Sequence, residues 1–278
     1  MSDERENPFE KLYAPIPDRG AYLRRIGFEG KAEPTLECFR KLMTCHLSTV
    51  PFENLDVYHG HIEPSLETDA MFEKIVTRHR GGYCFELNGL FSKLLCEIGF
   101  DVCCHAARVM VGREYIPPRA HRVIVVKLSD KKYFCDVGFG GPVPTEPVEI
   151  TFDKEIETED FRRYKFVCEE RGIMLLAERN GVFVPVLMFD ETPSDEVEFV
   201  PLNAFCAYSE YEPFRKKQMV RLGKEEGRCS IDGNVLKIRN NGVDTEMILE
   251  TEEEVRKALG IYFGIEYQGK LRDIKNKK

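Results

Sequence analysis

The 278-residue chain is 42% hydrophobic and 32% charged, enough apolar material for one large domain or two to three small ones that fold without covalent staples. A formal net charge of -8 and a pI near 5.5 argue against a nucleic-acid surface, and the basic runs, Arg215-Lys216-Lys217 and Lys275 to Lys278 broken by Asn276, are short enough to read as solvated surface. The opening MSDERENPFEKLY has no apolar h-region and no stretch approaches the roughly 18 apolar residues of a membrane span, so the expectation is a cytoplasmic protein with no membrane partner.

The first hundred residues read as helical. Leu36, Phe39, Met43 and Leu47 fall at helical spacing behind Pro34-Thr35, and Asp69 to His79 sets Phe72, Ile75 and Val76 on one face. From Cys84 onward Leu87, Leu90, Phe91, Leu94, Leu95 and Ile98 recur with a helical period, and Gly99 follows as a stop. After Phe100 the pattern changes to short β-branched runs: Arg108 to Val111, His121 to Leu128, Tyr133 to Val137, Tyr164 to Glu169, Ile173 to Ala177 and Val182 to Met188. Ser129 to Lys132 and Asn180-Gly181 are the turns, and an antiparallel barrel or sandwich is the expected product. Pro201 to Phe214 mixes Pro, Ser, Glu and aromatics and reads as a crossing segment. Beyond it Val235 to Arg239 and Thr245 to Leu249 flank Asn240-Asn241-Gly242 as a hairpin, and Thr251-x-x-Glu254 caps a final helix ending near Gly260.

The ten cysteines are scattered with no CxxC, and most read as buried small hydrophobes. Cys103-Cys104-His105 lacks the paired spacing of a tetrahedral site, so no metal is expected. Cys84 stands apart because it opens a helix directly after Gly81-Gly82. Unpaired N–H groups and the helix dipole stabilise a thiolate there, and glycines let an acyl donor approach the backbone. A core cysteine beside a tight turn is the plain alternative. A thiolate nucleophile needs an imidazole partner, and His121 opens an apolar strand from which it can point inward. Asp136 lies amid apolar neighbours in the next strand, where a carboxylate needs a partner. If Ser129 to Lys132 closes an ideal hairpin, however, Asp136 faces Val125, four residues or about 13 Å along the strand from His121. Glu53, Glu114 and Glu146 are the other carboxylates to consider.

Pro51-Phe52-Glu53-Asn54-Leu55-Asp56, Arg80-Gly81-Gly82-Tyr83-Cys84-x-Glu86-x-Asn88, His121 before a hydrophobic strand, and Asp136-Val137-Gly138-Phe139-Gly140 together resemble the arylamine N-acetyltransferase family. The resemblance implies an α+β fold in three parts, a helical domain over 1–100, an antiparallel β-barrel over 101–200 and a small α/β lid over 226–278, the last two joined by a crossing segment over 201–225. It also implies a Cys84-His121-Asp136 triad, in which the carboxylate fixes the imidazole and the imidazolium holds the thiolate. Acetyl-CoA is the implied co-substrate, aromatic amines and hydrazines the implied acceptors, and ping-pong the implied mechanism. Glu53 and Arg80 resemble an ion pair bracing the nucleophile turn, and Phe52, Val109, Phe139 and Phe214 resemble walls of the acceptor pocket. For these four, plain core packing is the competing reading, while Gly138 and Gly140 force a loop around Phe139.

The chain departs from the family between Asn203 and Phe214, where Ala207, Tyr208, Glu210 and Glu212 replace small hydroxyls and a proline. These carboxylates would repel CoA phosphates if they faced them. A thiol hydrolase or transglutaminase-like enzyme would use the same triad logic, and a macrolactam-closing amide synthase would use a tethered acyl donor. A non-catalytic thiol protein would have no use for an inward histidine and a buried aspartate.

Overall fold

The computed structural model describes residues 7–224 and 227–272; the first six residues, the proposed boundary at 225/226 and the basic tail from Lys275 lie outside the described residues. Arg19–Arg25 (α1), Leu36–Thr49 (α2), Phe52–Glu53 (β1), Thr68–Phe72 (α3) and Cys84–Ile98 (α4) make up the first part, with α3 running on as a π-helical turn over Glu73–Thr77. The Thr35 hydroxyl accepts the Cys38 N–H at 3.2 Å to start α2, and Gly99 stops α4 at a φ of 103°, as the sequence predicts. All but three residues of α4 are buried, because Leu87, Leu90, Phe91, Leu94 and Leu95 meet helices on one side and sheet on the other.

The strands Asp101–Val109 (β2), Arg119–Leu128 (β3), Lys131–Cys135 (β4), Val148–Glu149 (β5), Glu155–Glu157 (β6), Arg163–Glu169 (β7), Gly172–Arg179 (β8) and Val182–Phe189 (β9) form one antiparallel sheet ordered β5-β4-β3-β2-β9-β8-β7-β6. Val148 of β5 shares a single apolar cluster with Tyr164 and Phe166 of β7, so the sheet curls around its own core into a nearly closed barrel. Strand β3 is buried on both faces. Val123 and Val125 fill the barrel while Ile124 and Val126 pack into the helical cluster, which is why its sequence is continuously apolar rather than alternating. Asn180 and Gly181, at φ of 53° and 82°, close the β8–β9 hairpin in the way that dipeptide predicts.

The crossing segment carries a helix, Phe199–Tyr208 (α5), that periodicity does not reveal. Its apolar residues are spread around the helix although only Phe199, Asn203, Cys206 and Ala207 are buried, against the first part and β3, and Pro201 is tolerated within its first turn. Met219–Lys224 (β10), Gly227–Asp232 (β11), Val235–Asn240 (β12), Val243–Ile248 (β13) and Glu252–Phe263 (α6) complete the described chain. Sheet order β1-β10-β11-β12-β13 draws Phe52-Glu53 from the first part into this last sheet. No helix among the described residues is long and apolar enough to cross a membrane.

Candidate active site

Cys84 is the first residue of α4, and the turn before it is clamped from several directions. The Glu53 N–H donates to the Gly82 carbonyl at 2.8 Å, while β1 pairs with β10 on its other edge, so the turn is tied to the last sheet. The glycines are explained by this packing rather than by room for a donor. A Cβ on Gly81 would lie 1.9 Å from the Pro51 carbonyl oxygen, and one on Gly82 would lie 2.9 Å from Glu86. Glu86 reaches back to accept the Tyr83 N–H at 3.1 Å, capping α4 beside the nucleophile.

Behind the turn lies a buried lattice of charge. Arg80 meets Glu53 at 2.6 Å and Asp56 at 2.9 Å, and Lys74 meets Asp56 at 2.8 Å and Glu86 at 2.7 Å. Three carboxylates thus face two cations. Burial works against the Asp56 carboxylate, yet Lys74 and Arg80 hold it down at about 2. Glu86 is the odd one out: burial, with the charges of Glu53 and Asp56 adding, pushes it up to about 7 against the pull of Lys74. The Glu53–Arg80 pair anticipated from the sequence is present, whereas Lys74, Asp56 and Glu86 were given no part there. Their signal was charge within otherwise apolar helical segments.

On the other side of Cys84 stand His121 and Asp136, 2% and 1% exposed. His121 Nε2 lies 2.6 Å from Asp136 Oδ2, and the Cys84 sulfur is near enough to the same ring to act on its charge. The separation expected from an ideal hairpin is overturned by the turn itself. Ser129 takes the left-handed region at φ 54°, and Leu128 pairs with Lys131, so the connection has two residues, not four. Ile124 therefore pairs with Cys135, which brings Asp136 two residues closer to His121, about 7 Å of strand. The ladder ends at Cys135, and the following bend carries the carboxylate across the remaining gap.

Asn88, one turn along α4 from the cysteine, holds this arrangement in register. Its Nδ2 donates to Asp136 Oδ1 at 2.8 Å and to the Arg122 carbonyl at 2.6 Å, and its Oδ1 accepts the Val137 N–H at 2.8 Å. Gly138 N–H also donates to Asp136 Oδ1, at 2.9 Å, and a Cβ on Gly138 would lie 2.8 Å from Cys84 Cα. No residue but glycine fits so close to the nucleophile. The imidazole is buried, which alone favours the neutral ring, but Asp136 and the Cys84 sulfur push it up to about 10. An imidazolium held beside a sulfur at a helix start is a device for keeping that sulfur ionised and nucleophilic.

The aromatic residues divide around this centre. Phe139 lies in the loop after Asp136 and meets the His121 ring edge-on at 5.2 Å, and Val109 packs in the same barrel cluster. Phe52 faces Phe214 at 6.5 Å, and Phe214 meets Tyr83 at 5.5 Å. The Tyr83 hydroxyl bonds the Asn203 side chain, which ties α5 to the nucleophile turn.

The N-acetyltransferase family model matches residues 35–272, a span that contains Cys84, His121 and Asp136. The chain belongs to the arylamine N-acetyltransferase family. It is an acyltransferase by that membership. The arylamine N-acetyltransferase / N-hydroxyarylamine O-acetyltransferase of Salmonella typhimurium is 42% identical over 70% of this chain and 69% of its own length. That of Mycolicibacterium smegmatis is 29% identical over 90% of this chain and 92% of its own. Among solved structures, the Mycobacterium marinum arylamine N-acetyltransferase in complex with CoA superposes with a TM-score of 0.82 at 29% identity, covering 90% of this chain and 93% of that one. The family model's span of 35–272 takes in the segment from Ala207 to Glu212.

Proposed function

We propose that the chain transfers an acetyl group from acetyl-CoA to arylamines, arylhydrazines or hydrazines through an acetyl-Cys84 intermediate. The buried relay of Cys84, His121 and Asp136 at the start of α4 is the observation that carries this reading, within a family that includes a CoA-bound relative. The Cys84 thiolate attacks the thioester carbonyl, and the tetrahedral oxyanion forms beside the positive end of α4. His121 gives its proton to the departing CoA sulfur. The acceptor nitrogen then attacks acetyl-Cys84, and the now neutral imidazole takes the amine proton as the thiolate is released. Asp136 keeps the ring oriented and stabilises its charged form throughout. Phe52, Val109, Phe139 and Phe214 would wall a flat acceptor, and their surroundings keep water from the thioester. This chemistry fits acetylation of foreign arylamines in the cytoplasm.

Initial rates measured over a grid of acetyl-CoA and arylamine concentrations test the order of events. Parallel double-reciprocal lines are expected, and converging lines would require both substrates to be bound together. Release of CoA without amine consumption, at a rate matching turnover, would make the enzyme a thioester hydrolase instead.

A further inference from the structure

Cys84 has a second thiol for company. Its Sγ lies 4.0 Å from the Ala120 carbonyl oxygen, and Cys206, in the last turns of α5, directs its own Sγ to that same oxygen at 3.5 Å. Both side chains are buried, at 2% and 0% exposure, and both belong to the helical core cluster. They come from elements far apart in the chain, brought together by the bond between Tyr83 and Asn203. Burial, with the Cys84 charge and Glu212 adding, pushes the Cys206 thiol far up, although Arg113 opposes this. Cys206 therefore stays a protonated thiol and does not compete for the acyl group.

We infer that Cys84 and Cys206 form a redox-modification site, with Cys206 as the resolving thiol that captures Cys84 after attack by a peroxide. In the first step the Cys84 thiolate displaces hydroxide from the peroxide oxygen and becomes a sulfenic acid. In the second the Cys206 sulfur attacks the Cys84 sulfur, the S–O bond breaks, and the departing hydroxide takes the Cys206 proton as water. The sum converts two thiols and one peroxide into one disulfide and two waters. The second step is slowed because Cys206 is rarely ionised. The disulfide blocks acylation while sparing Cys84 from irreversible oxidation.

The test treats the whole protein with hydrogen peroxide and maps cysteine peptides, comparing wild type with Cys206→Ala and Cys206→Ser. The wild type is expected to lose about 2 Da, yield a Cys84–Cys206 linked peptide, and recover activity on adding dithiothreitol. Both variants, active before treatment, are expected to gain about 32 Da at Cys84 and stay inactive. Equal sulfinic acid in wild type and variants, or a disulfide from Cys84 to another cysteine, would overturn the assignment. Because the readout is mass at cysteine, it stands apart from the identity of the acyl donor.

Discussion

The two sides of Cys84 are built on opposite electrostatic plans. Behind the turn, Glu53, Asp56, Lys74, Arg80 and Glu86, buried or half-buried, form ion pairs of 2.6 to 2.9 Å, three carboxylates against two cations. In front, one carboxylate is held by neutral donors from Asn88 and Gly138 and by a single titratable ring. The first plan fixes geometry, since no proton there needs to move. The second fixes a proton's position and leaves it free to be used. Damage to the rear side should therefore appear chiefly as lost stability, and damage to the front chiefly as lost rate.

The largest effect is expected from Asp136→Asn, which leaves Asn88 and Gly138 with a partner but removes the charge that favours the imidazolium. Acetyl transfer should fall by roughly 10³- to 10⁴-fold with a much smaller change in melting temperature. The same variant changes how His121 holds its proton. In the wild type the ring stays charged up to about pH 10, because its burial is outweighed by Asp136 and the Cys84 sulfur; without the Asp136 charge the ring should lose its proton at a lower pH, which NMR titration of the imidazole would register. The sign for stability is set by a raised histidine: its contribution is complete below the ordinary value of 6.5 and is lost as the pH climbs through about 10.

Arg80→Met comes next, and tests the rear. Buried Glu53 and half-buried Asp56 lose their guanidinium, a loss of about 3–5 kcal/mol that chemical denaturation would register. A wild-type denaturation midpoint in this variant would mean that the lattice is better solvated than its burial indicates. Asn88→Ala is expected to be smaller, about 1–3 kcal/mol, because it strands the Val137 N–H and removes one of the two donors to Asp136 Oδ1. It straddles the two sides, so rate and stability should fall together.

The subtlest effect concerns Glu86, whose carboxyl is raised from 4.5 to about 7. Over that window the folded protein holds a proton that the unfolded chain has released, so wild-type stability falls as the pH rises through it. Asp56, held at about 2, is ionised throughout and adds no slope. Melting temperatures at pH 5 and pH 8 should differ less in Glu86→Gln than in the wild type.

The front of the site was legible because its residues obey local rules. A cysteine after two glycines at the head of an apolar-periodic helix, and a histidine opening a β-branched run, carry their meaning within a few residues. Asp136 was harder, since its reach to His121 depends on a left-handed Ser129 that shortens a turn by two residues, and Ser has little preference to announce it. Lys74 and Glu86 were hidden because a charge within a helical pattern reads as solvent-facing until another element covers it. Helix α5 was missed for the opposite reason: it buries one stripe, Phe199, Asn203, Cys206 and Ala207, but carries apolar residues on its more exposed side as well, so it shows no amphipathic period. Strand β10, next to residues outside the described ones, pairs on one edge with a two-residue strand far away in sequence, a partnership that local alternation does not signal.

Intact mass after mixing the protein with acetyl-CoA, with no amine present, tests the central claim most directly. The wild type should gain about 42 Da and Cys84→Ala none, and the added mass should vanish on addition of an arylamine or hydrazine, as covalent catalysis by this thiol requires. An unmodified wild type with no CoA released, or an acetyl group that appears equally in Cys84→Ala, would contradict it.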